Sequence, residues 1–250
     1  MGPHGYFRAT RHPWSGLLFV LPLLAIYETG LLALTRGAAN GNDSLRTGAD
    51  TWLRWALANL GLAGLLWTPV LLVGLLFFWA LCRRNDRPAT GFLTLLGGMT
   101  VESLLFAAGL WALSQSFFPL LESVGLRVAT ASPAGPAAPA APTLEHFIGY
   151  VGAGIYEEAL FRLFLLSGLI WLLRLLEFPA LWAMLLAAAA SALAFAAAHN
   201  LGPHGEPFNE HIFLFRTVAG LYFAVLFHMR GFGVAVGAHT GYDMFVGILT

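Results

Sequence analysis

Residues 180–198 read ALWAMLLAAAASALAFAAA, a run without a charged side chain. A helix of this length crosses a hydrocarbon core about 30 Å thick, because each helical residue rises about 1.5 Å. Residues 56–81 form a second uncharged run. The strands of a membrane barrel would alternate apolar and polar side chains, whereas both runs are apolar on every face. The two runs therefore predict membrane-spanning helices.

The composition of the whole chain agrees with this prediction. Hydrophobic residues make up 58% of the chain and charged residues 10%, against about 25% charged residues in an ordinary soluble domain. Such a chain cannot cover a globular surface with polar groups, so membrane lipid is its expected partner. The net charge of zero gives no indication of a nucleic-acid partner. The single cysteine, Cys82, excludes an internal disulfide and a cysteine zinc cluster.

The apolar runs predict an all-α protein, a polytopic bundle of about seven transmembrane helices. The predicted spans are 14–35, 56–81, 92–118, 145–174, 180–199, 211–229 and 231–249. The polar connection after the first span, with Trp52 and Trp55, is compatible with a helix at the membrane surface.

The chain divides into three predicted parts. These are N-terminal transmembrane helices at 1–126, a linker rich in Ala and Pro at 127–143, and a C-terminal transmembrane core at 144–250. In the linker, proline recurs at every third residue from 133 to 142, a pattern typical of an extended, semi-rigid spacer. All of the recognisable chemistry lies in the C-terminal core.

Basic residues outside the spans predict the orientation, because they concentrate on the cytoplasmic side. With the N-terminus inside, the inner side holds Arg8, Arg11, Arg83, Arg84, Arg87, Arg174 and Arg230, and the outer side holds Arg36, Arg46, Arg54 and Arg127. This excess favours an N-terminus inside. His199 then lies near the outer end of its span, which predicts a site that opens toward the non-cytoplasmic side.

The fourth predicted span contains ionisable residues that are costly at bilayer depth. Its sequence Tyr156-Glu157-Glu158-Ala159-Leu160-Phe161-Arg162 places Glu158 and Arg162 four residues apart, on one helical face. Glu157 points about 100° away from that face. One carboxylate is then neutralised by arginine and the other is free to act as a base. The alternative is a buried Glu–Arg pair that only ties helices together.

Two further motifs follow on later spans. Phe195-Ala196-Ala197-Ala198-His199 closes the fifth span, and His239-Thr240-Gly241-Tyr242-Asp243 lies in the last one, where His239 and Asp243 share a face. Taken singly, a histidine at a helix end or a His–Asp pair is more often structural than catalytic. We also expect structural roles for the charged residues inside the other apolar spans, Glu28, Glu102 and Arg216.

The order EExxxR, FxxxH and Hxxx(N/D) on successive hydrophobic helices resembles the CPBP family of intramembrane proteases, the Abi-related group that includes the CAAX prenyl endopeptidases. The resemblance covers about residues 144–250, which makes this core the predicted protease core. The prenyl-endopeptidase branch usually carries Asn at the position of Asp243, so the resemblance to the wider family is stronger than any inference to prenylated substrates.

The resemblance implies a role for each motif residue. Glu157 would be the catalytic carboxylate and His199 its partner in activating a water molecule. His239 and Asp243 would face the scissile carbonyl, with His239 the favoured oxyanion donor. An ionised Asp243 cannot donate a hydrogen bond, so orienting His239 is its expected role. Two further residues, Glu158 and Arg162, would hold the site.

Two histidines and a glutamate could also bind zinc. However, HExxH is absent and the two histidines lie on different spans. A glutamate–histidine pair can activate water without a metal, so we expect neither a metal nor another cofactor.

The sequence thus predicts an intramembrane endopeptidase that hydrolyses a peptide bond near the membrane with a Glu/His-activated water. Its expected substrate is a peptide or protein, with a membrane-anchored tail as one candidate. Its expected location is the bacterial inner (cytoplasmic) membrane. The alternative from another class is a non-catalytic scaffold or immunity-type membrane protein. An aspartyl protease lacks a second aspartate in a span, and Ser167 and Ser191 lack the GxSG context of a serine protease.

Overall fold

A computed structural model of the chain describes residues 3–35, 46–64, 66–84, 91–123, 125, 143–202 and 205–249. This described part is helical and contains no strand, which confirms the all-α prediction. The α-helices in chain order are α1 (Pro3–Thr10), α2 (Pro13–Leu34), α3 (Gly48–Asn59), α4 (Trp67–Cys82), α5 (Phe92–Ser123), α6 (Leu144–Glu158), α7 (Ser167–Leu175), α8 (Ala180–Ala198), α9 (Glu210–Arg230) and α10 (Phe232–Leu249).

Five of these helices, namely α2, α5, α8, α9 and α10, are long and apolar enough to cross a membrane. The protein is therefore an integral membrane protein. Helix α4 is apolar but has 16 residues, about 24 Å of helix. Helices α6 and α7 continue one another through a π-helical segment, Ala159–Leu166, and together they cover the predicted span 145–174. The total of about seven spans stays a prediction.

The prediction of one continuous span at 56–81 is wrong. Helix α3 ends at Asn59, and α4 begins only at Trp67. Gly61 follows the end of α3 with a φ of 80°, and Gly64 has a φ of 156°. Glycine in this conformation terminates a helix, because residues with a Cβ rarely adopt it. The apolar composition of the run concealed this break.

Helix α10 lies at the centre of the bundle, in contact with α2, α5, α6 and α9. A row of glycines, Gly233, Gly237 and Gly241, lies on its face toward α5. A Cβ atom at Gly237 would lie 2.5 Å from Ser103 Oγ, so only glycine permits this close approach. The glycines thereby fix the side of α10 that faces the site.

A group of buried charged residues joins α3 to α2 and α6. We call Glu28, Arg46, Asp50 and Arg54, with the hydroxyls of Tyr27 and Tyr156, the N-terminal charge cluster. Asp50 is fully buried and accepts hydrogen bonds from Arg46 Nη1 (2.7 Å), Arg54 Nε (2.7 Å) and Tyr27 Oη (3.0 Å). Glu28 Oε1 accepts from Arg54 Nη2 at 3.2 Å and from Tyr156 Oη at 2.8 Å. Glu28 of α2 is thus bonded to both α3 and α6, which agrees with the structural role expected for it.

A second charged group lies at the opposite end of the bundle. Arg230 of α9 pairs with Glu102 of α5, which also accepts a hydrogen bond from Tyr6 Oη at 2.9 Å. Burial, together with the hydrogen bond to Glu102, raises the pKa of Tyr6 to about 12. The tyrosine therefore remains a donor at neutral pH, and the group ties α1 to α5 and α9.

The division of the chain at residues 126 and 143 stays a prediction. Residues 127–142 of the linker, including its repeated prolines, lie outside the described residues. Thr143 is described as the N-cap residue of α6, where its side chain and that of His146 form a capping box.

Candidate active site

The π-helical segment positions the residues of the EExxxR motif. Because its carbonyls are not all used by regular i→i+4 bonds, side chains supply additional donors. Ser191 Oγ of α8 donates to the carbonyl of Phe161 at 2.7 Å, and Ser167 Oγ donates to that of Arg162 at 3.0 Å. π-Helical turns are rare and are frequent at functional sites. Hydropathy does not reveal this feature.

Glu158 and Arg162 form the predicted ion pair. Arg162 Nη1 lies 3.3 Å from Glu158 Oε1, and both side chains are fully buried. Arg162 Nη2 also donates to the carbonyl of Gly220 in α9 at 3.2 Å. The guanidinium carbon lies 4.5 Å from the ring centroid of Phe195 and 5.3 Å from that of Phe223. The pair thus connects three helices and keeps its charges among compensating groups.

His239 is held by Glu158. Its Nδ1 lies 2.8 Å from Glu158 Oε1. Its ring stacks on Phe223 at 4.6 Å between centroids and 14° between planes, and the edge of Phe195 approaches it. A chain of contacts therefore runs from Arg162 through Glu158 to His239. The opposite ring nitrogen, Nε2, is left to face the remaining site residues.

Glu157 lies at the point where the motifs converge. Its Oε2 atom is 3.9 Å from His199 Nε2 and 3.7 Å from His239 Nε2. Both distances exceed that of a direct hydrogen bond. Among the described residues, this buried oxygen has no hydrogen-bond partner. A buried carboxylate oxygen without a partner is costly unless a further group binds to it.

The hydrogen bond of His199 sets the orientation of its ring. His199 Nδ1 lies 2.8 Å from the carbonyl of Phe195, one turn earlier in α8. A carbonyl only accepts, so Nδ1 carries the hydrogen, and a neutral ring presents the lone pair of Nε2 toward Glu157. Asp243 stands across the site, with Oδ2 at 3.7 Å from His239 Nε2. All of the predicted site residues are therefore brought together.

Two cavities meet at His199, which lines both. The smaller, about 160 Å³, contains Glu157 and is bounded by α3, the start of the π-helical segment and the loop after α8. The larger, about 390 Å³, contains His239 and Asp243 and lies between α5, α9 and α10. The water-activating candidates and the oxyanion candidates thus face different cavities across one histidine.

An ion pair spans the edge of this region. Arg216 Nη2 of the larger cavity lies 2.9 Å from Glu206 Oε1 of the smaller one. The backbone N–H of Glu206 donates to the carbonyl of His199 at 2.8 Å. The hydrogen bond from Arg216 lowers the pKa of Glu206 below its usual range. The loop after α8 is therefore attached both to α9 and to His199.

The C-terminal part of the chain, which holds these motif residues, is similar to a known protein family. Residues 139–245 match the family model described as type II CAAX prenyl endopeptidase Rce1-like. We call residues 139–245 the Rce1-like region because of this match. This match confirms the resemblance to the CPBP and CAAX protease family, a family of proteases. Searches among curated proteins and among solved structures found no match to the chain.

The Rce1-like region contains every residue that the motifs predicted, but it does not contain the whole site. Gly48, Ala49, Thr51 and Trp52 of α3 line the smaller cavity beside Glu157. Motif analysis missed them because they lie far from the motifs in sequence. A signal was present: Arg46, Asp50 and Arg54 recur at four-residue spacing, as expected of a charged helix face that pairs internally.

The absence of a metal stays a prediction. Among the residues that the structure describes, no group of three or more His, Cys, Asp and Glu side chains has the arrangement of a metal site. The nitrogen atoms of His199 and His239 that face Glu157 have separate orienting partners, the carbonyl of Phe195 and the carboxylate of Glu158.

Proposed function

We propose that the protein is an intramembrane endopeptidase in which Glu157 and His199 activate a water molecule. The observation that carries this proposal is the position of Glu157 Oε2, 3.9 Å from His199 Nε2 and without a hydrogen-bond partner among the described residues. A water molecule between the two atoms would donate one hydrogen to each, a common arrangement for polar groups separated by more than 3.5 Å.

The proposed reaction needs no group beyond the side chains and water. Glu157 accepts a proton from the water as the water oxygen bonds to the scissile carbonyl carbon, and the carbonyl oxygen becomes an oxyanion. The protonated Glu157 then gives this proton to the leaving nitrogen. The C–N bond breaks, and the products are a carboxylic acid and an amine.

His239 is the proposed oxyanion donor. With Nδ1–H donating to Glu158 at 2.8 Å, a protonated ring presents Nε2–H toward the reacting carbonyl. A preoriented donor of this kind stabilises the charge that develops in the transition state. Asp243, 3.7 Å from Nε2, would keep the ring protonated and oriented. Glu158 and Arg162 act through His239 and are positioning residues.

The substrate is proposed to be a peptide or protein segment at the membrane, with a membrane-anchored tail as one candidate. The bacterial cytoplasmic membrane with the N-terminus inside is the proposed location. Arg8, Arg11, Arg83 and Arg84 lie at one end of the bundle, where α2 begins and α4 ends. Arg46 and Arg54 of the other end are neutralised by Glu28 and Asp50. This asymmetry supports an inner face opposite the site.

The test uses the full chain in liposomes that contain a random library of acyl-anchored peptides. New peptide termini are identified by mass spectrometry for the wild type, Glu157→Gln and Glu145→Gln. Removing the base is expected to lower the rate by about 10²- to 10⁴-fold. Glu145, exposed at the start of α6, is the matched control and should keep the wild-type rate.

Each outcome has a distinct meaning. Cleavage that persists at the wild-type rate in Glu157→Gln would contradict the assigned mechanism. If the wild type and both variants generate no new termini from the library, the non-catalytic scaffold replaces the protease.

A further inference from the structure

The hydroxyl group of Thr240, the residue after His239, lacks the hydrogen bond that a helical threonine usually makes. Thr29, Thr100 and Thr217 each donate to the carbonyl four residues earlier in their own helix. Thr240 is buried, with 5% of its surface exposed, and its Oγ1 has no partner within the described part of the chain. A buried hydroxyl without a partner costs free energy, so a group that bonds to it is expected.

Gly154 of α6 places this hydroxyl beside the Glu158–Arg162 ion pair. A Cβ atom on Gly154 would collide with Thr240 Oγ1, so the hydroxyl packs against the backbone of α6. Glu158 lies one turn later on the same face of α6. Because helical side chains lean toward the N-terminus of their helix, the Glu158 carboxylate extends back toward the level of Gly154, and thus toward Thr240.

The buried ion pair has unbonded polar atoms of its own. Oε1 of Glu158 lies 2.8 Å from His239 Nδ1 and 3.3 Å from Arg162 Nη1. Oε2 of the same carboxylate and Nε of Arg162 have no hydrogen-bond partner among the residues that the structure describes. Both side chains are fully buried, so bulk water does not reach these atoms. An acceptor, a guanidinium donor and the hydroxyl of Thr240 are therefore unbonded in one buried region.

A single water molecule has the chemistry to bond to all three groups. It would donate to Oε2 of Glu158, accept from Nε of Arg162 and share a hydrogen bond with Thr240 Oγ1. Buried waters make about three hydrogen bonds each, to polar groups that protein atoms leave unbonded. This water is distinct from the reactive water proposed between Glu157 and His199, because it bonds to none of the same atoms.

We infer that Thr240 is a positioning residue, which through one buried water molecule holds Glu158 in the orientation that bonds His239. The consequence for catalysis rests on the proposed function, in which His239 stabilises the oxyanion. Thr240 occupies an unspecified position of the Hxxx(N/D) motif, so the motif assigns it no role. It acts only through the carboxylate and contacts neither the substrate nor the reactive water.

The first test is steady-state kinetics of the full chain in liposomes, with a library peptide that the wild type cleaves. Thr240→Val should lower kcat by about tenfold and leave KM unchanged, because His239 loses part of its support while substrate contacts remain. Thr240→Ser keeps the hydroxyl and should keep the wild-type kcat. Thr68 of α4 is also buried, with a hydroxyl that lacks a partner among the described residues. Thr68→Val is therefore the matched control and should behave as the wild type.

An unchanged kcat in a folded Thr240→Val protein overturns the inference. An equal fall in Thr68→Val, or a Thr240→Ser protein as slow as Thr240→Val, does the same. If the methyl group that replaces the hydroxyl prevents folding against Gly154, Thr240→Ala removes the hydroxyl without that bulk and should show the same fall in kcat.

The second test is independent of cleavage. A crystal structure of the wild-type protein, at a resolution that shows ordered water, should contain a water within hydrogen-bond distance of Thr240 Oγ1 and Glu158 Oε2. The Thr240→Val structure should lack it. A wild-type structure without this water, or with the hydroxyl bonded to the carbonyl of Val236, would overturn the inference. If the water is present but the wild type cleaves no peptide, the proposed function fails while the bonding of Thr240 to Glu158 stands.

Discussion

Two groups of buried charges lie side by side in this bundle, and they differ in how completely their oxygens are bonded. In the N-terminal charge cluster, both carboxylate oxygens of Asp50 accept hydrogen bonds of 2.7–3.0 Å. In the candidate active site, Oε2 of Glu157 and Oε2 of Glu158 have no such partner among the described residues. Both groups have arginine and carboxylate, and Tyr156 and Glu157 are neighbours in sequence.

The difference separates a structural from a reactive use of buried charge. A buried carboxylate with both oxygens bonded, such as that of Asp50, fixes helices and has no acceptor left for a substrate. An open cluster retains acceptors for water and substrate at a cost in stability. Tyr156 bonds within the N-terminal charge cluster, and the next residue, Glu157, belongs to the candidate active site. The two groups therefore meet between these two residues of α6. Four substitutions test this contrast.

Asp50→Asn should produce the largest change in stability. It leaves Arg46 and Arg54 without their shared carboxylate, and removing one partner of a buried ion pair costs about 3–5 kcal/mol. The free energy of unfolding, measured by detergent titration in micelles, should fall by that amount. The same carboxylate-to-amide change at Glu157 should alter it by less than about 1 kcal/mol, because no hydrogen bond to Oε2 is lost. Equal losses in the two variants would remove the contrast.

His239→Ala should have a large effect on catalysis and a smaller one on stability. Loss of an oxyanion donor lowers kcat by about 10²- to 10³-fold. Glu158 also loses its 2.8 Å partner, which costs about 1–3 kcal/mol of unfolding free energy. Steady-state kinetics on a cleaved library peptide should show the change in kcat and not in KM. A variant with normal kcat and raised KM would assign His239 to substrate binding.

Ser191→Ala should have an intermediate effect through the π-helical segment. The hydroxyl donates to the carbonyl of Phe161, and its removal should cost about 1 kcal/mol. Activity should fall with it, because Glu157 and Arg162 flank this part of the helix. Ser116→Ala removes a hydroxyl that bonds only within its own exposed helix face and serves as the control. If Ser191→Ala and Ser116→Ala lower the thermal unfolding temperature equally, the bond from Ser191 does not stabilise the π-helical segment.

Glu206→Gln should have the smallest effect, below about 1 kcal/mol, because Glu206 is 51% exposed and its pair with Arg216 is screened by solvent. Because the pKa of Glu206 is lowered in the folded protein, the contribution of this ion pair to stability depends on pH. It is complete above the ordinary glutamate pKa of 4.5 and is lost as the pH falls through the lowered value. Unfolding of wild type and variant should therefore converge in acid and at high salt. A difference that persists in acid would exclude this ion pair as its source.

The sequence was sufficient to predict the all-α class, most of the long helices and the convergence of the motif residues. Uncharged runs such as 180–198 leave little choice of structure in lipid, and the spacing of Glu158 and Arg162 predicted their contact. It could not give the π-helical segment, because the hydrogen-bond register of a helix depends on donors such as Ser191 from a neighbouring helix. His239 bonds to Glu158 at 2.8 Å and lies farther from Asp243, at 3.7 Å. This difference likewise depends on the packing of α10 against α6.

Two features that the sequence did not predict, the helix break within 56–81 and the position of α3 beside Glu157, were missed for different reasons. Gly61 and Gly64 were visible signals of a helix end that the apolar composition outweighed. The spacing of Arg46, Asp50 and Arg54 indicated a helix face that pairs internally, but it did not place Trp52 beside Glu157. That position results from bonds that join residues of α3 to Glu28 and Tyr27 in the folded protein.

The glycine row of α10 has a consequence for how the chain can diverge. Gly233, Gly237 and Gly241 constrain one side of the helix by close contact with α5, and His239 and Asp243 constrain the other by their place in the site. Almost no turn of α10 is then free to accumulate neutral substitutions. Sequence drift in this protein must be absorbed by lipid-facing positions on other helices, such as Leu181, Trp182 and Leu185 of α8.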